Sequence, residues 1–479
     1  MSIRLADPRL LVDVFVSRVT LLGSLPGWPE ALATAGIEVV EADADLVVAE
    51  ARLARRAAAL GAPAVVLVGV RPRPLRRAGY LTRAIFVRPG GSGLRLYVPV
   101  DARRATRHLL RSPLAGRSAP KRAVLVAYLL ALRAGLPLRS ALTIGTRTGA
   151  APCLLAAAKQ VGLPAVDDWC LITGDGDDLQ RLVWLCFDGG DRPAWAVKCG
   201  RVPGSDAPFA REEAALRALD VLPTALRRHA PRLLGRIEVD RLPVAVETAG
   251  AGQPLQSLLP ARLGERGRRV VLDVAEWVLG VARSTRQPPA ALAPELERLG
   301  GVVVPAWVAD GASAGLTAML SAIPGVLQHN DLGSWNIVSD GETFTVVDWE
   351  STTGCGLPLW DLVYFLTDAL TRLRATSSAD VDGPHMLALL RGELEESSVL
   401  FDYVRRAARE LELPAETIGP IVTLGWLHHG LSANARAQRG RAFGAVTRGA
   451  SQVGPLQKLA RPWLADPALG VSWPALTSA

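Results

Sequence analysis

The segment His329-Asn330-Asp331-Leu332-Gly333-Ser334-Trp335-Asn336 holds a histidine, an aspartate and an asparagine in the order H-x-D-x-x-x-x-N. In phosphoryl transfer a carboxylate must face the acceptor hydroxyl, while an amide five residues further along reaches metal bound to the phosphates. Asparagine occurs at only three positions of the chain, 330, 336 and 434, and two of them lie in this segment. We therefore expect Asp331 to be the catalytic base, with His329 as a second catalytic residue, and Asn336 to be a metal ligand.

A predicted β-hairpin follows this segment directly. Ile337 and Val338 precede the turn Ser339-Asp340-Gly341, and an Asp-Gly pair between apolar runs is typical of a hairpin turn. The returning strand ends at Asp348. In protein kinases a carboxylate at this point, the first residue of D-F-G, binds magnesium together with the asparagine of the catalytic loop. We therefore predict that Asp348 is the second metal ligand.

Lys198 is an unusual residue for this chain. Only four of the 54 basic residues are lysines, at positions 121, 159, 198 and 458, so arginine serves almost everywhere that a surface charge is needed. Position 198 lies within the apolar run 194–199, where a buried cation requires a partner or a phosphate. We expect Lys198 to bind nucleotide phosphates. The alternative is a strand lysine whose ammonium group extends to solvent.

The order of predicted elements after residue 166 is that of a two-lobed kinase. Three strands, a helix and two strands are predicted in this order, at 169–173, 181–187, 195–199, 208–219, 234–239 and 242–247. After residue 255 the pattern is largely helical to the end, apart from the hairpin at 337–348. We therefore predict an α+β protein-kinase-like domain with a small β-rich N-lobe at 166–250 and a helical C-lobe at 251–479.

The first 155 residues show a different rhythm. Strand and helix patterns alternate, at 19–23, 28–36, 37–40 and 64–70. Such βαβ units predict an α/β domain with a mostly parallel sheet. Helical patterns then dominate from residue 102 to about residue 160, and we expect the domain boundary between residues 145 and 166. The sequence predicts an α/β domain of unknown role at 1–155.

Taken together, these segments resemble one family. From about residue 166 onward the chain is similar to the aminoglycoside phosphotransferase (APH) family, which shares the protein-kinase-like fold and includes choline, sugar and antibiotic kinases. The resemblance implies that Lys198 contacts the α- and β-phosphates of ATP. It also implies that Glu212 is the ion-pair partner of this lysine, with Glu213 as the nearby alternative. Glu247, Thr248 and Ala249 begin a run similar to the family's hinge, where backbone groups meet adenine.

Three further features can be compared with the pattern of the family: one agrees with it and two differ. Asp361, in Pro358-Leu359-Trp360-Asp361-Leu362, matches a family aspartate that braces the catalytic loop. The family commonly has His-Gly-Asp where this chain has His329-Asn330-Asp331, a mild change because asparagine tolerates a left-handed backbone. The run Gly174-Asp175-Gly176-Asp177-Asp178 offers flexible amides to a nucleotide, but its three aspartates repel a triphosphate unless they point away.

The function that this resemblance implies is an ATP-dependent phosphotransferase (kinase) with an alcohol group as acceptor and with ATP and Mg²⁺ as cofactors. Only twelve residues, 349–360, separate Asp348 from Asp361, which leaves no room for the peptide platform of a protein kinase. We therefore expect the acceptor to be a hydroxyl of a small molecule, sugar- or glycan-related, enclosed by the helical region after Asp361.

The sequence is also compatible with two alternative functions. The first is an antibiotic phosphotransferase, because acidic pockets bind aminoglycosides and the helical region contains Asp368, Asp380, Asp382, Glu393, Glu395 and Glu396. The same acids equally solvate helix faces. The second alternative is a pseudokinase, a nucleotide-binding or docking module without turnover.

The positive charge of the chain is concentrated in one stretch. Between Arg71 and Arg122 there are 14 lysines and arginines and a single acid, Asp101. Residues 71–122 form either a solvated face or a surface for anionic lipid or glycan phosphate. Nucleic acid is the weakest candidate because few aromatic residues are interleaved. The sequence contains no transmembrane segment and no secretory signal pattern, so we expect a cytoplasmic protein that can lie peripheral to a membrane.

Overall fold

The computed structural model describes residues 8–89, 95–111, 119–134, 136, 141–166, 168–173, 181–201, 203–259, 264–307, 318–374 and 383–439. These residues form two compact units. The first is built mainly from residues up to Phe209 together with Arg232–Ala249, and the second from Ala210–Pro231 and Gly250–Gln438. No helix in the described ranges is long and apolar enough to cross a membrane.

Among the described residues, the first unit contains one sheet of twelve strands. They are β1 (Arg18–Leu22), β2 (Glu38–Val39), β3 (Leu46–Glu50), β4 (Ala64–Val68), β5 (Leu81–Pro89), β6 (Arg95–Pro99), β7 (Ala141–Thr146), β8 (Asp168–Thr173), β9 (Leu182–Phe187), β10 (Trp195–Cys199), β11 (Leu233–Val239) and β12 (Leu242–Thr248). Their order across the sheet is β11-β12-β10-β9-β8-β6-β5-β7-β4-β3-β1-β2. Because β8 pairs with β6, the strands before and after residues 155–166 belong to the same sheet.

Helices accompany the strands of the first unit. They are α1 (Trp28–Thr34), α2 (Ala54–Ala59), α3 (Pro72–Arg77), α4 (Arg103–Arg111), α5 (Ala119–Arg133) and α6 (Cys153–Ala157), while α7 (Asp206–Asp220) begins in the first unit and ends in the second. Strands β1 to β4 are parallel, as the βαβ rhythm predicts. Their side chains are mostly apolar and buried, which is typical of a sheet covered on both faces.

The middle of the first unit differs from the prediction. The helical pattern predicted from residue 102 to about 160 is wrong at Ala141–Thr146, because these residues form strand β7. All six are buried, and the strand pairs antiparallel with β4 on one edge and with β5 on the other. A short strand enclosed on both edges and both faces has no alternation of polar and apolar residues, so periodicity does not reveal it.

The second unit is mainly helical. Its helices are the rest of α7, then α8 (Thr224–Arg227), α9 (Glu265–Ser284), α10 (Pro289–Arg298), α11 (Trp360–Arg374), α12 (Gly383–Leu390), α13 (Ser397–Glu410) and α14 (Ala415–Arg439). Its strands are β13 (Gln253–Pro254), β14 (Val326–Gln328), β15 (Ile337–Ser339), β16 (Phe344–Val346) and β17 (Thr353–Gly356). The predicted hairpin at 337–348 is therefore present as β15 and β16.

The fold has the two predicted classes of structure. An α/β region occupies the start of the chain, and the antiparallel strands β8 to β12 with helix α7 precede a helical region, as in a protein-kinase-like domain. The predicted strands at 169–173, 181–187, 195–199, 234–239 and 242–247 coincide with β8 to β12 to within one residue at each end. The assignment of separate domains to 1–155, 166–250 and 251–479 stays a prediction.

Candidate active site

The loop that begins at His329 is fixed by the carboxylate of Asp361, at the start of α11. Its two oxygens accept the backbone N–H groups of His329, at 2.6 Å, and of Asn330, at 2.9 Å. Burial raises the pKa of Asp361 to about 6, although both N–H groups favour its charged form. Asn330 has a φ of 63°, a left-handed conformation that asparagine adopts more readily than most residues.

The ring of His329 lies inside this loop and links it to the hairpin. The backbone N–H of Asp331 donates to Nδ1 at 3.3 Å, so the proton of a neutral ring resides on Nε2, which donates to the carbonyl of Val347 at 3.0 Å. The side chain is 1% exposed, and burial lowers the pKa of His329 below its usual value of 6.5. His329 is thus a neutral hydrogen-bonding bridge, and it packs against Trp349 with a centroid distance of 4.6 Å.

Asp331 and Asn336 contact each other across the loop. The amide Nδ2 of Asn336 donates to the backbone oxygen of Asp331 at 2.8 Å and to its carboxylate Oδ2 at 3.1 Å. Because Nδ2 is used in this way, the amide oxygen Oδ1 is the atom of Asn336 that is suited to a cation. The amide therefore orients the aspartate and presents an oxygen of the kind that Mg²⁺ prefers.

A second carboxylate of helix α11 fixes the middle of the loop. Asp368 accepts the backbone N–H of Ser334 at 2.9 Å and also its hydroxyl, and it forms an ion pair with Arg372 at 2.7 Å. From the sequence, Asp368 is one of the acids that could bind an aminoglycoside, and this structural role is not predicted. The available signal was its spacing of seven residues from Asp361, which places both carboxylates on the same face of the helix.

Asp348 and the side chain of Glu212 both lie at the start of the segment that follows the hairpin. Asp348 has φ 72° and ψ 56°, so its backbone is left-handed at the point where a 3₁₀ helix, Trp349–Ser351, begins. The carboxylate of Glu212, on α7, accepts the backbone N–H of Trp349 at 3.2 Å, and Glu212 is 2% exposed. Within the second unit the structure thus brings Glu212 next to the residue that follows Asp348.

Lys198 lies in the first unit, on strand β10, between β12 and β9. Its ammonium nitrogen is 2.6 Å from Oε1 of Glu247, and both side chains are buried. Lys198 is opposite Ala245 on β12, and Glu247 lies two residues further along the same face, so the two form a diagonal cross-strand pair. The resemblance implies that Glu247 acts through its backbone and does not predict this side-chain contact. The ion pair between Lys198 and Glu212 stays a prediction.

The predicted hinge continues directly from β12. The backbone N–H of Thr248 donates to the carbonyl of Arg232 at 3.0 Å, and that of Ala249 donates to the carbonyl of Ala194 at 2.9 Å. Both amides are therefore engaged in hydrogen bonds that fix the end of β12 to neighbouring segments of the chain. The predicted phosphate loop, Gly174–Asp178, lies outside the described residues.

The residues of the second unit fit a magnesium–nucleotide complex. In the described ranges no group of three or more His, Cys, Asp or Glu side chains could hold a metal ion. Mg²⁺ in nucleotide sites needs no such cage, because one or two protein oxygens and the substrate phosphates complete its shell together with water. The amide oxygen of Asn336 and a carboxylate at Asp348 are the donor types required.

The basic segment 71–122 is partly neutralised by neighbouring acids. Arg83 pairs with Asp101 at 2.8 Å, and both Arg107 and Arg111 pair with Asp191. A surface here for anionic lipid or glycan phosphate stays a prediction.

Comparisons with known proteins give a family for the central part of the chain. Residues 189–393 match the model described as the phosphotransferase enzyme family, APH. No curated protein matches the chain. Among solved structures it is similar to the aminoglycoside phosphotransferase APH(3'')-Id of Streptomyces rimosus, with 17% identity over 56% of this chain and 97% of that chain and a TM-score of 0.33.

Two further solved structures illustrate the range of similarity. An aminoglycoside phosphotransferase from Alicyclobacillus acidocaldarius is 15% identical over 67% of this chain and 96% of that chain, with a TM-score of 0.36. The bifunctional kinase-methyltransferase WbdD is 11% identical over 83% of this chain and 84% of that chain, with a TM-score of 0.28. The described loop and hairpin lie within the matched residues: residues 189–393 of this chain are similar to the phosphotransferase enzyme family APH.

Proposed function

We propose that this protein is a magnesium-ATP-dependent phosphotransferase that acts on a hydroxyl group of a small molecule, sugar- or glycan-related. The observation that carries the proposal is the contact of the Asn336 amide with the Asp331 carboxylate, in a loop that Asp361 holds by two backbone amides. This arrangement supports a base that is oriented before the substrate binds, which lowers the cost of reaching the transition state.

Each residue of the second unit has a definite role in this proposal. Asp331 accepts the proton of the acceptor hydroxyl as it attacks phosphorus. His329 stays neutral and holds the loop against the hairpin. Asn336 and Asp348 hold the metal ion, and Glu212 supports the backbone after Asp348. When bound, magnesium-ATP would supply the γ-phosphoryl group with ADP as the leaving group, and the metal ion would neutralise charge on the phosphate oxygens.

The first unit supplies the proposed nucleotide contacts. Lys198 binds the α- and β-phosphates, and Glu247 holds its ammonium group in position on the strand. Because the amides of Thr248 and Ala249 are engaged within the chain, the hinge Glu247-Thr248-Ala249 would meet adenine through its backbone carbonyl groups. A cytoplasmic location, where ATP is available, is part of the proposal.

A small-molecule acceptor is supported by the structure between Asp348 and Asp361. Thr353–Gly356 forms strand β17, which pairs with β14, and Leu357 and Leu359 are buried. Residues 353–359 are therefore paired in a sheet or packed in the interior, and they do not form a platform for a peptide. Trp335, partly exposed between the proposed base and the proposed metal ligand, offers an apolar face of the kind that sugar rings pack against, and its edge is supported by Tyr364.

The antibiotic phosphotransferase is the less favoured enzymatic alternative. Of the acids that could form a pocket for a cationic aminoglycoside, Asp368 binds Ser334 and Arg372, and Glu396 pairs with Arg374. Glu393 and Glu395 are exposed, and Asp380 and Asp382 lie outside the described residues. Of the four described acids, Asp368 and Glu396 are therefore already engaged by partners within the chain.

The test is ATP consumption by the full chain in magnesium, with a panel of sugars, glycan precursors and aminoglycosides and with Asp331→Asn as the control. We expect turnover with a neutral hydroxyl compound that the control lacks. Turnover restricted to aminoglycosides would favour the antibiotic alternative, and nucleotide binding without turnover on any acceptor would favour the pseudokinase.

A further inference from the structure

The first unit contains a large cleft of about 1740 Å³ at the carboxyl ends of the parallel strands β1, β3 and β4. Its lining includes Ser24, Leu25 and Pro26, which follow β1, and Ala51 and Arg52, which follow β3. In the sheet, β2 lies on one side of β1 and β3 lies on the other, so the direction of the strand order reverses at β1. Open α/β sheets bind ligands at this kind of switch point, outside the carboxyl ends of the strands.

The turn after β1 is already filled by a carboxylate of the same chain. Glu50 accepts the backbone N–H of Ser24 at 3.0 Å and is paired with Arg52. Gly23 has a φ of 100°, and a Cβ atom there would lie 2.9 Å from the Glu50 side chain, so the glycine allows this close approach. A ligand in the cleft therefore cannot use this amide as dinucleotides use the glycine-rich turn, unless it displaces Glu50.

The lining of the cleft is strongly basic. Besides Arg52, six arginines line it: Arg55, Arg71, Arg73, Arg76, Arg77 and Arg133. Among the residues that the structure describes, none of these six has a carboxylate partner, and Glu50 is the single acid in the lining. Six guanidinium groups exceed what one phosphate can balance, because a phosphate monoester carries at most two charges. Guanidinium forks bind phosphate oxygens in a bidentate manner.

Most of the remaining lining is apolar, and we call this part the apolar floor. Leu25, Val68 and Val70 contribute to it, and its one aromatic residue, Trp28, is 5% exposed. A single buried ring offers no stacking platform for successive bases, which argues against single-stranded nucleic acid. A concave cleft with an apolar floor and convergent charges is instead typical of a small-molecule site.

We propose that this arginine cleft binds a small organic diphosphate, with its phosphates against the six arginines and its organic part against the apolar floor. The site lies entirely within the first unit and does not depend on the proposed phosphotransferase function. It gives the α/β region a ligand of its own.

The test is isothermal titration of the full chain in EDTA, which suppresses magnesium-dependent nucleotide binding. The probes are inorganic phosphate, inorganic diphosphate and uridine diphosphate, and vesicles containing phosphatidylserine are tested separately by sedimentation. We expect uridine diphosphate to bind more tightly than inorganic diphosphate, and inorganic phosphate to bind least. Equal affinity for the two diphosphates would overturn the role of the apolar floor, and binding to vesicles alone would overturn the small-molecule site.

Helix α2 offers a matched pair of variants. Arg55 and Arg56 are adjacent and both exposed, but only Arg55 lines the cleft. We expect Arg55→Glu to weaken uridine diphosphate binding about tenfold or more, since a charge-assisted hydrogen bond is lost and a repulsion is added. Arg56→Glu should bind as the wild type does, and Arg55→Gln should give an intermediate loss. Circular dichroism and thermal melting verify that each variant is folded. Equal losses in Arg55→Glu and Arg56→Glu, or no binding of any probe to the wild type, would overturn the proposal.

Discussion

Asp368 accepts the backbone N–H of Ser334 at 2.9 Å, and so a carboxylate in the middle of helix α11 holds the centre of the proposed catalytic loop. Asp361, two turns earlier on the same helix, holds the beginning of the loop. The loop is therefore positioned by one face of one helix, and its geometry depends on two carboxylates that need not contact any substrate.

Replacement of Asp368 by alanine tests this arrangement. The change leaves the amide and hydroxyl of Ser334 and the guanidinium of Arg372 without their buried partner, so we expect the free energy of unfolding to fall by about 3 kcal/mol. We also expect kcat to fall while the Kd for ATP is unchanged. Urea unfolding, turnover and nucleotide titration measure the three quantities. Glu395→Ala, which removes an exposed acid from the same group of candidates, is the control and should leave all three unchanged.

Substitutions of Asp331 and of Asp348 are expected to impair different steps, namely catalysis and magnesium-dependent nucleotide binding. Asp331→Asn removes the proposed base, and we expect kcat to fall by about 10² to 10⁴ while magnesium-ATP binding is retained. Asp348→Asn removes a proposed metal ligand, and we expect weaker nucleotide binding in magnesium but little change in EDTA. Titration with and without magnesium separates the two effects. Wild-type turnover in both variants would contradict the assignment of these residues.

The buried pair of Lys198 and Glu247 can be analysed by a double-mutant cycle. Lys198→Met leaves the carboxylate of Glu247 buried without its cation, so we expect a loss of about 3 to 5 kcal/mol in unfolding free energy. Lys198→Met with Glu247→Gln removes the isolated charge and should recover much of this stability. Neither variant should bind ATP as the wild type does. Lys159→Met changes an exposed lysine of the same unit and is the matched control; an equal loss of stability there would contradict a specific role for Lys198.

The neutral state of His329 predicts a pH dependence of stability. Burial lowers the pKa of His329 from 6.5, although Asp331, Asp348, Glu212 and the carbonyl of Val347 oppose this shift. Between its folded pKa and 6.5 the folded protein binds fewer protons than the unfolded chain, so stability rises with pH in this window. The contribution is fully present above pH 6.5 and is lost as the pH falls through the folded pKa.

His329→Gln isolates this contribution, because glutamine carries no titratable proton and other histidines are common to both proteins. We expect the difference in unfolding free energy between wild type and variant to shrink as the pH is lowered from 7 through the folded pKa of His329. Denaturant titrations at a series of pH values measure it. A difference that is constant over this range would mean that His329 is not held neutral by its surroundings.

The sequence by itself determined the features that are local in the chain. The spacing of Asp331 and Asn336, the Asp-Gly hairpin before Asp348 and the placement of a rare lysine at position 198 are all contained in short segments. Residues within one loop or one strand are brought together by the backbone itself, so their relation can be read from spacing alone. The strands β8 to β12 were predicted for the same reason, because turn residues separate their apolar runs.

Only the tertiary structure decided the relations between distant segments. It paired Glu247 with Lys198 across two strands, brought Asp368 to Ser334, and enclosed Ala141–Thr146 between β4 and β5. It also gathered Arg55, from α2, and Arg73, from α3, into one cleft. Each of these contacts depends on strand register, helix rotation or sheet order. A change of one residue in register would turn the same side chain to the opposite face, and the sequence pattern does not fix that choice.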